Sequence, residues 1–186
     1  MNRLSASATA VVVCMGLAIA APARADEFFT GAYQHAAELH ISAGDEEGGV
    51  DAELGYRTEP MQRRILFGRP RVQFLLSRNL SGDTNFAALD LLWRHDYSER
   101  FYGQLGFGLA VHDGVVHRAD LRGRTNRIAF GSRVLFEPEL DFGWRLSPRL
   151  ALEASYVHIS NGHIWTKVNP GMDDVGVRLI YRVGGS

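Results

Sequence analysis

The stretch Val134-Leu135-Phe136-Glu137-Pro138-Glu139-Leu140-Asp141-Phe142-Gly143-Trp144-Arg145 decides the fold. Side chains alternate across a β-strand, so this segment has one face of Val134, Phe136, Pro138, Leu140, Phe142 and Trp144, and another holding Glu137, Glu139, Asp141 and Arg145. The interior of a small soluble barrel would have to take the aromatic row and leave the ions in water. An eight-stranded interior is just wide enough to be filled by side chains, and this chain has little helix or loop to cover an outer surface. The reverse arrangement, apolar outward and polar inward over about ten residues, is that of a transmembrane strand.

The same parity recurs along the chain. Val50, Ala52, Leu54 and Tyr56 oppose Asp51, Glu53 and Arg57, and Val72, Phe74 and Leu76 oppose Arg71, Gln73 and Ser77. Leu89, Leu91 and Trp93 oppose Asp90 and Arg94, while Leu105, Phe107, Leu109 and Val111 oppose Gln104, Gly106, Gly108 and His112. Eight strands are predicted: Gly31–Ile41, Gly49–Thr58, Pro70–Arg78, Asn85–Tyr97, Phe101–His112, Ile128–Leu146, Leu150–Ser160 and Asp173–Val183, separated by turn-rich stretches such as Ser81-Gly82-Asp83 and Ser147-Pro148-Arg149. The expectation is an all-β protein, an eight-stranded antiparallel transmembrane β-barrel of the outer membrane, crossing the bilayer many times. Its inward acids and arginines (among them Glu38, Glu53, Arg57, Asp90, Glu139, Asp141, Glu153 and Arg178) should form a mixed-sign plug, since buried charges persist only when paired. An even strand number puts both termini on one side, expected to be periplasmic. Thr58–Arg69 is long for a turn on that side.

Residues 1–25 read as a signal peptide: a basic start at Arg3, an apolar run from Ala8 to Ala20 too short to span a bilayer, and a small-x-small site at Ala23-Arg24-Ala25. Residues 26–186 are the barrel, roughly 160 residues and one domain. Cys14, the only cysteine, lies in the leader, so the mature chain has no disulfide. The formal charge of −1 becomes −3 once Arg3 and Arg24 are removed, which gives no reason to expect nucleic acid as a partner.

Chemistry concentrates in His158-Ile159-Ser160-Asn161-Gly162, followed by Asn169-Pro170-Gly171-Met172-Asp173. Leu152, Ala154, Tyr156, His158 and Ser160 share the outward face of the seventh strand, and Asp173 leads the outward row of the eighth. A base, a nucleophile and an acid thus meet at one end of two neighbouring strands, the requirement for a serine hydrolase. Asn161 and the Gly162 backbone follow, placed to offer donors to an oxyanion. A histidine or serine alone at a membrane boundary reads as an interfacial polar group; the second element, with its carboxylate, shifts the reading to catalysis. Asp174, inward by parity, is the second choice for the acid.

These two elements resemble the signature of the lipid A 3-O-deacylase family, PagL. The resemblance rests on about the last thirty residues, with the leader and the strand pattern agreeing over the rest. It implies an outer-membrane barrel that hydrolyses the ester at the 3-position of lipid A and releases a 3-hydroxy fatty acid, with lipid A or lipopolysaccharide as substrate, membrane lipid around it and no cofactor or metal. It implies His158 as base, Ser160 as nucleophile and Asn161 as a residue needed for activity. The family's acid is usually glutamate, and Asp173 stands there one methylene shorter. The resemblance allows a homodimer. The competing expectation is a non-catalytic barrel, adhesin-like or structural, and a third is an acyltransferase or phospholipase barrel. Trp93, Tyr97, Trp144, Tyr156 and Trp165 read as aromatic girdle, with Trp165 also placed to hold a lipid A headgroup. Arg118, Arg122, Arg124 and Arg127 form a basic run in an outer loop, either solvated or set against lipid A phosphate.

Overall fold

In the computed structural model, each of the eight strands pairs antiparallel with its sequence neighbour, and the first closes on the last: β1 Asp26–Gln34, β2 Val50–Arg57, β3 Arg71–Asn79, β4 Phe86–Asp96, β5 Phe101–His112, β6 Val134–Arg145, β7 Leu150–Ile159 and β8 Met172–Val183. The structure describes residues 26–37, 47–164, 166–167 and 169–184. The expected leader at residues 1–25, Glu38, the far end of the expected first strand and Trp165 lie outside these residues.

Inside and outside are inverted relative to a soluble barrel, as the parity requires. Leu89, Phe107, Leu140 and Val177 on the outer face are 59 %, 52 %, 58 % and 60 % exposed, whereas Arg57, Glu137 and Arg178 inside are wholly buried. The inner wall is made narrow by aromatic rings lying over glycines of the next strand. Phe29 faces Gly55 and Tyr102 faces Gly143 in register, and a Cβ on either glycine would fall 2.0 and 2.1 Å from the ring. The inner guanidiniums then stack on these rings, with Arg57 and Arg178 over Phe29 at 4.6 and 4.7 Å.

The predicted ionic plug is present and cross-links strands distant in sequence. Arg57 forks onto Glu153 at 2.7 and 2.8 Å and reaches Asp141 at 3.3 Å. Arg178 joins Glu53 at 2.5 Å and Glu139 at 2.6 Å. Removing one partner of a buried pair leaves an uncompensated charge, at a cost of about 3–5 kcal/mol. Arg178→Met should therefore lower stability by about that much in urea unfolding from detergent micelles, and adding Glu139→Gln should recover part of it. A loss under about 1 kcal/mol would contradict this role for the plug.

Three strand boundaries differ from the sequence expectation by more than one residue, and one of them is the end of β1, at Gln34 rather than Ile41, where His35 and Ala36 turn the chain. β1 begins at Asp26 rather than Gly31, because Glu27 points inward and is held by Arg94 at 2.6 and 2.7 Å, a partner 67 residues away. β6 begins at Val134 rather than Ile128: Ile128, Ala129 and Phe130 are all buried, without alternation, and the Phe130 ring packs on His112 at 4.5 Å beneath the loops. The long Thr58–Arg69 connection also has a structural reason. It doubles back along the outer wall, where Trp93 Nε1 donates to the Ile65 carbonyl at 2.8 Å and Phe67 sets its edge against the Trp93 ring.

At the end carrying the tip of β7, a second buried cluster ties the loops to the barrel. His35 Nδ1 lies 2.9 Å from Asp51 and Nε2 lies 3.2 Å from Glu47, with Asp174 at 3.8 Å; Arg127 stands 3.8 Å from Glu47. Burial alone would lower the His35 pKa, but the hydrogen bonds to Asp51 and Glu47 raise it from 6.5 to about 10. Burial would raise Glu47, and its bonds to His35, Thr84 and Ile128 bring it below the usual 4.5 instead. A raised base stabilises most below its unfolded pKa, and a lowered acid above its own. The stability gap between wild type and His35→Gln should be full between about pH 4.5 and 6.5, close as the pH rises through about 10, and narrow again below 4.5. Urea midpoints measured across that range test it; a gap independent of pH would refute it.

Candidate active site

β7 and β8 pair so that His158 lies directly across from Asp173 and Tyr156 across from Val175. Cross-strand partners on one face stand roughly 5 Å apart at Cβ, within reach of an imidazole and a short carboxylate. His158 Nδ1 is 2.7 Å from Asp173 Oδ1. The same oxygen accepts a 2.6 Å hydrogen bond from the Tyr156 hydroxyl, one diagonal step along the face. Asp173 is fully buried although it belongs to the outward row, because these two side chains cover it, and its carbonyl accepts from Ala37 N at 2.6 Å. With Nδ1 turned to the carboxylate, the His158 ring directs Nε2 away from it, the arrangement a general base needs.

Ser160 continues the outward row two residues beyond His158. An isolated bridge to Phe136 pins its backbone, with N–H to carbonyl distances of 2.7 and 3.0 Å, so β6 holds the serine at the end of β7. The Ser160 hydroxyl forms no hydrogen bond to His158 among the described residues. Catalytic bonds of this kind are often open without substrate and close in the complex.

Asn161 is fully buried and its groups are committed to the fold. Its amide donates to the Phe130 carbonyl at 2.7 Å, its Oδ1 accepts from His163 N at 2.9 Å, and its own N–H donates to Asn169 Oδ1 at 2.7 Å. Asn161 thus joins the β5–β6 loop, its own loop and the Asn169-Pro170-Gly171 turn, which differs from the expectation that it offers donors to an oxyanion. Gly162 fits that expectation better: it is exposed, at φ +61°, a conformation glycine adopts without strain, and its N–H takes no acceptor among the described residues. Gly171, at φ +67°, turns the chain into β8 and so sets the level of Asp173.

Asp174 lies on the other side of the wall. It faces the lumen, accepts from Ala36 N at 2.9 Å and belongs to the His35 cluster. Among the described residues, two buried groups have the spacing to hold a metal ion, His35 with Asp51 and Asp174, and Asp90 with Glu137 and Glu139. Both are inside the barrel, across its wall from His158, and hydrogen bonds already occupy both ring nitrogens of His35.

Tyr156 shares the outward face as expected of a girdle residue, but its hydroxyl is bound to the Asp173 carboxylate, a contact the sequence does not predict. The available signal was its i−2 spacing from His158. In the basic run, Arg127 is bound to Asp83 and the Gly82 carbonyl and Arg124 to carbonyls of its own loop, while Arg118 and Arg122 are exposed.

A profile of the lipid A 3-O-deacylase (PagL) family matches residues 68–182, from the end of the β2–β3 connection almost to the end of β8. The chain belongs to the PagL family. Its structure is similar to a crystal structure of the outer membrane enzyme PagL, at 13 % identity and a TM-score of 0.52, over 82 % of this chain and 98 % of that one. It is also similar to a designed transmembrane β-barrel, at 15 % identity and a TM-score of 0.51, over 87 % and 97 % of the two chains. At these identities both likenesses concern architecture alone, a closed transmembrane β-barrel. No curated protein sequence matches the chain. The matched segment spans β3 to β8 and includes the positions of His158, Ser160 and Asp173.

Proposed function

We propose that this protein is a serine esterase that hydrolyses the 3-O-linked hydroxyacyl chain of lipid A from within the outer leaflet of the outer membrane. The observation that carries the reading is the 2.7 Å hydrogen bond from His158 to Asp173 on the outer, lipid-facing side of the wall, two residues from Ser160. A triad opening to lipid suits an ester whose acyl chains stay in the bilayer.

In this mechanism Ser160 Oγ attacks the ester carbonyl while His158 Nε2 takes its proton, and Asp173 stabilises the imidazolium that forms. The carbonyl oxygen becomes an oxyanion, to which the Gly162 N–H is the proposed donor. Collapse breaks the bond to the sugar oxygen, which leaves with the proton from His158, and the acyl group remains on Ser160. Water, deprotonated by His158, then releases the 3-hydroxy fatty acid and regenerates the serine. Tyr156 and Asn161 are positioning residues, the first holding the acid and the second the loop that carries Gly162.

Mass spectrometry of lipid A incubated with the purified barrel in detergent tests the proposal. The expected product has lost one 3-hydroxyacyl group, and the free acid appears in equal amount. Unchanged lipid A would favour a non-catalytic barrel; acyl gain, or lysophospholipid from added phospholipid, would assign a different chemistry.

A further inference from the structure

We propose that the end of the barrel opposite the His158–Asp173 pair carries a binding site for a phosphate-bearing anion. The starting observation is a mismatch of charge. Glu27, buried within the wall, is shared by four guanidiniums: Arg94 at 2.6 Å, Arg182 at 3.5 Å, Arg71 at 3.6 Å and Arg57 at 3.9 Å. Arg94 occupies both Glu27 oxygens, and Arg57 has Glu153 and Asp141 besides. Arg71 is left with one hydrogen bond, to the Thr58 carbonyl at 3.0 Å, and Arg182 with its single long contact to Glu27.

These two side chains open into a cavity of about 560 Å³ at the barrel mouth, which Arg69 and Arg145 also line. Arg145 is paired with Asp96, and Arg69 has no ion-pair partner among the described residues. The other acid on the lining, Glu99, is exposed; Arg145 reaches only its backbone carbonyl, at 3.2 Å, and its carboxylate pairs with no arginine among the described residues. Three guanidiniums, Arg69, Arg71 and Arg182, therefore face one cavity without a carboxylate of their own. Each has five N–H donors in a planar fork, the geometry that pairs with phosphate oxygens two at a time. Such a cavity is of the size of small-ligand sites and larger than a bare phosphate, so it admits an esterified one.

Two sources share this chemistry, free phosphate and a phospholipid headgroup. The rim favours neither by charge, but Arg69 follows Leu66 and Phe67, which are 80 % and 73 % exposed beside Trp93 on the outer wall. A lipid headgroup at the arginines would have acyl contact within three residues. The proposal is independent of the esterase reading, because the cavity lies at the other end of the strands.

The test is calorimetric titration of the barrel, refolded in a phosphate-free maltoside detergent, with inorganic phosphate and separately with short-chain phosphatidylglycerol, against chloride at matched ionic strength. Saturable binding of at least one phosphate compound, absent with chloride, is expected. Arg71→Gln combined with Arg182→Gln should weaken it at least about tenfold, the loss of a charge-assisted hydrogen bond or more, with hydrolysis at Ser160 unchanged. Tighter binding of the lipid would identify a headgroup site, and equal affinity a site for free phosphate. Should the double variant not fold, Arg69→Gln, altered only at an exposed side chain, should still weaken binding measurably. No saturable binding beyond chloride, or binding unaffected by the substitutions, would overturn the proposal.

Discussion

Ser160→Ala should abolish release of the 3-hydroxy fatty acid while leaving the barrel intact. In a Ser-His-acid site, loss of the nucleophile removes the covalent route, and the drop in kcat is roughly 10³- to 10⁶-fold, with any residue of rate owed to binding and oxyanion stabilisation alone. The fold should not notice. The Ser160 hydroxyl makes no hydrogen bond among the described residues, and what holds the position is its backbone bridge to Phe136, which alanine keeps. Urea midpoints of the two proteins should agree within about 0.5 kcal/mol. Lipid A recovered from membranes bearing the variant should keep its full set of acyl chains. Full activity in Ser160→Ala would exclude this serine as the nucleophile and with it the proposed mechanism.

Asp173→Asn should cost about 10⁴-fold in kcat, the penalty seen where the acid of such a triad becomes an amide. The reason lies in the 2.7 Å contact with His158 Nδ1. A carboxylate accepts only, so it fixes the proton on Nδ1 and leaves Nε2 as the base; an amide can donate to Nδ1 and reverse the tautomer. The amide nitrogen that meets Nδ1 also meets Tyr156, whose hydroxyl oxygen can accept from it, so the local packing survives. Asp174→Asn is the matching control, since Asp174 faces the lumen and binds Ala36 N. Less than about tenfold loss is expected there, a change in stability rather than chemistry. If Asp174→Asn were the more damaging of the two, the assignment of the acid would be wrong.

The lipid-facing character of the site was legible because it follows from strand parity. Leu152, Tyr156, His158 and Ser160 alternate with Glu153, Ser155 and Val157, and the burial of the latter three matches that alternation. The placement of the two aspartates was legible for the same reason: Asp173 and Asp174 differ by one residue and so by one side of the wall. Less legible was everything set by loops. Ile128–Phe130 looked like strand because it is apolar, yet it packs beneath the loops, where no period applies. Asn161 looked like an oxyanion donor because it follows the serine, but Phe130, 31 residues earlier, takes its amide. Glu27 falls outside the strand that alternation predicts, because its arginine partners lie on strands far along the chain.

By itself, the sequence determined which residues share a face, because the two-residue repeat of a strand is a property of local backbone geometry and needs no partner. That was enough for an inverted barrel with a histidine, a serine and an aspartate turned to lipid. Only the tertiary structure decided which faces come opposite one another: that His158 meets Asp173 rather than its neighbours, that the Tyr156 hydroxyl reaches the same carboxylate, and that four arginines converge on one glutamate. Register depends on loop length and on side chains interlocking across the lumen, and these are interactions between segments that local geometry does not contain.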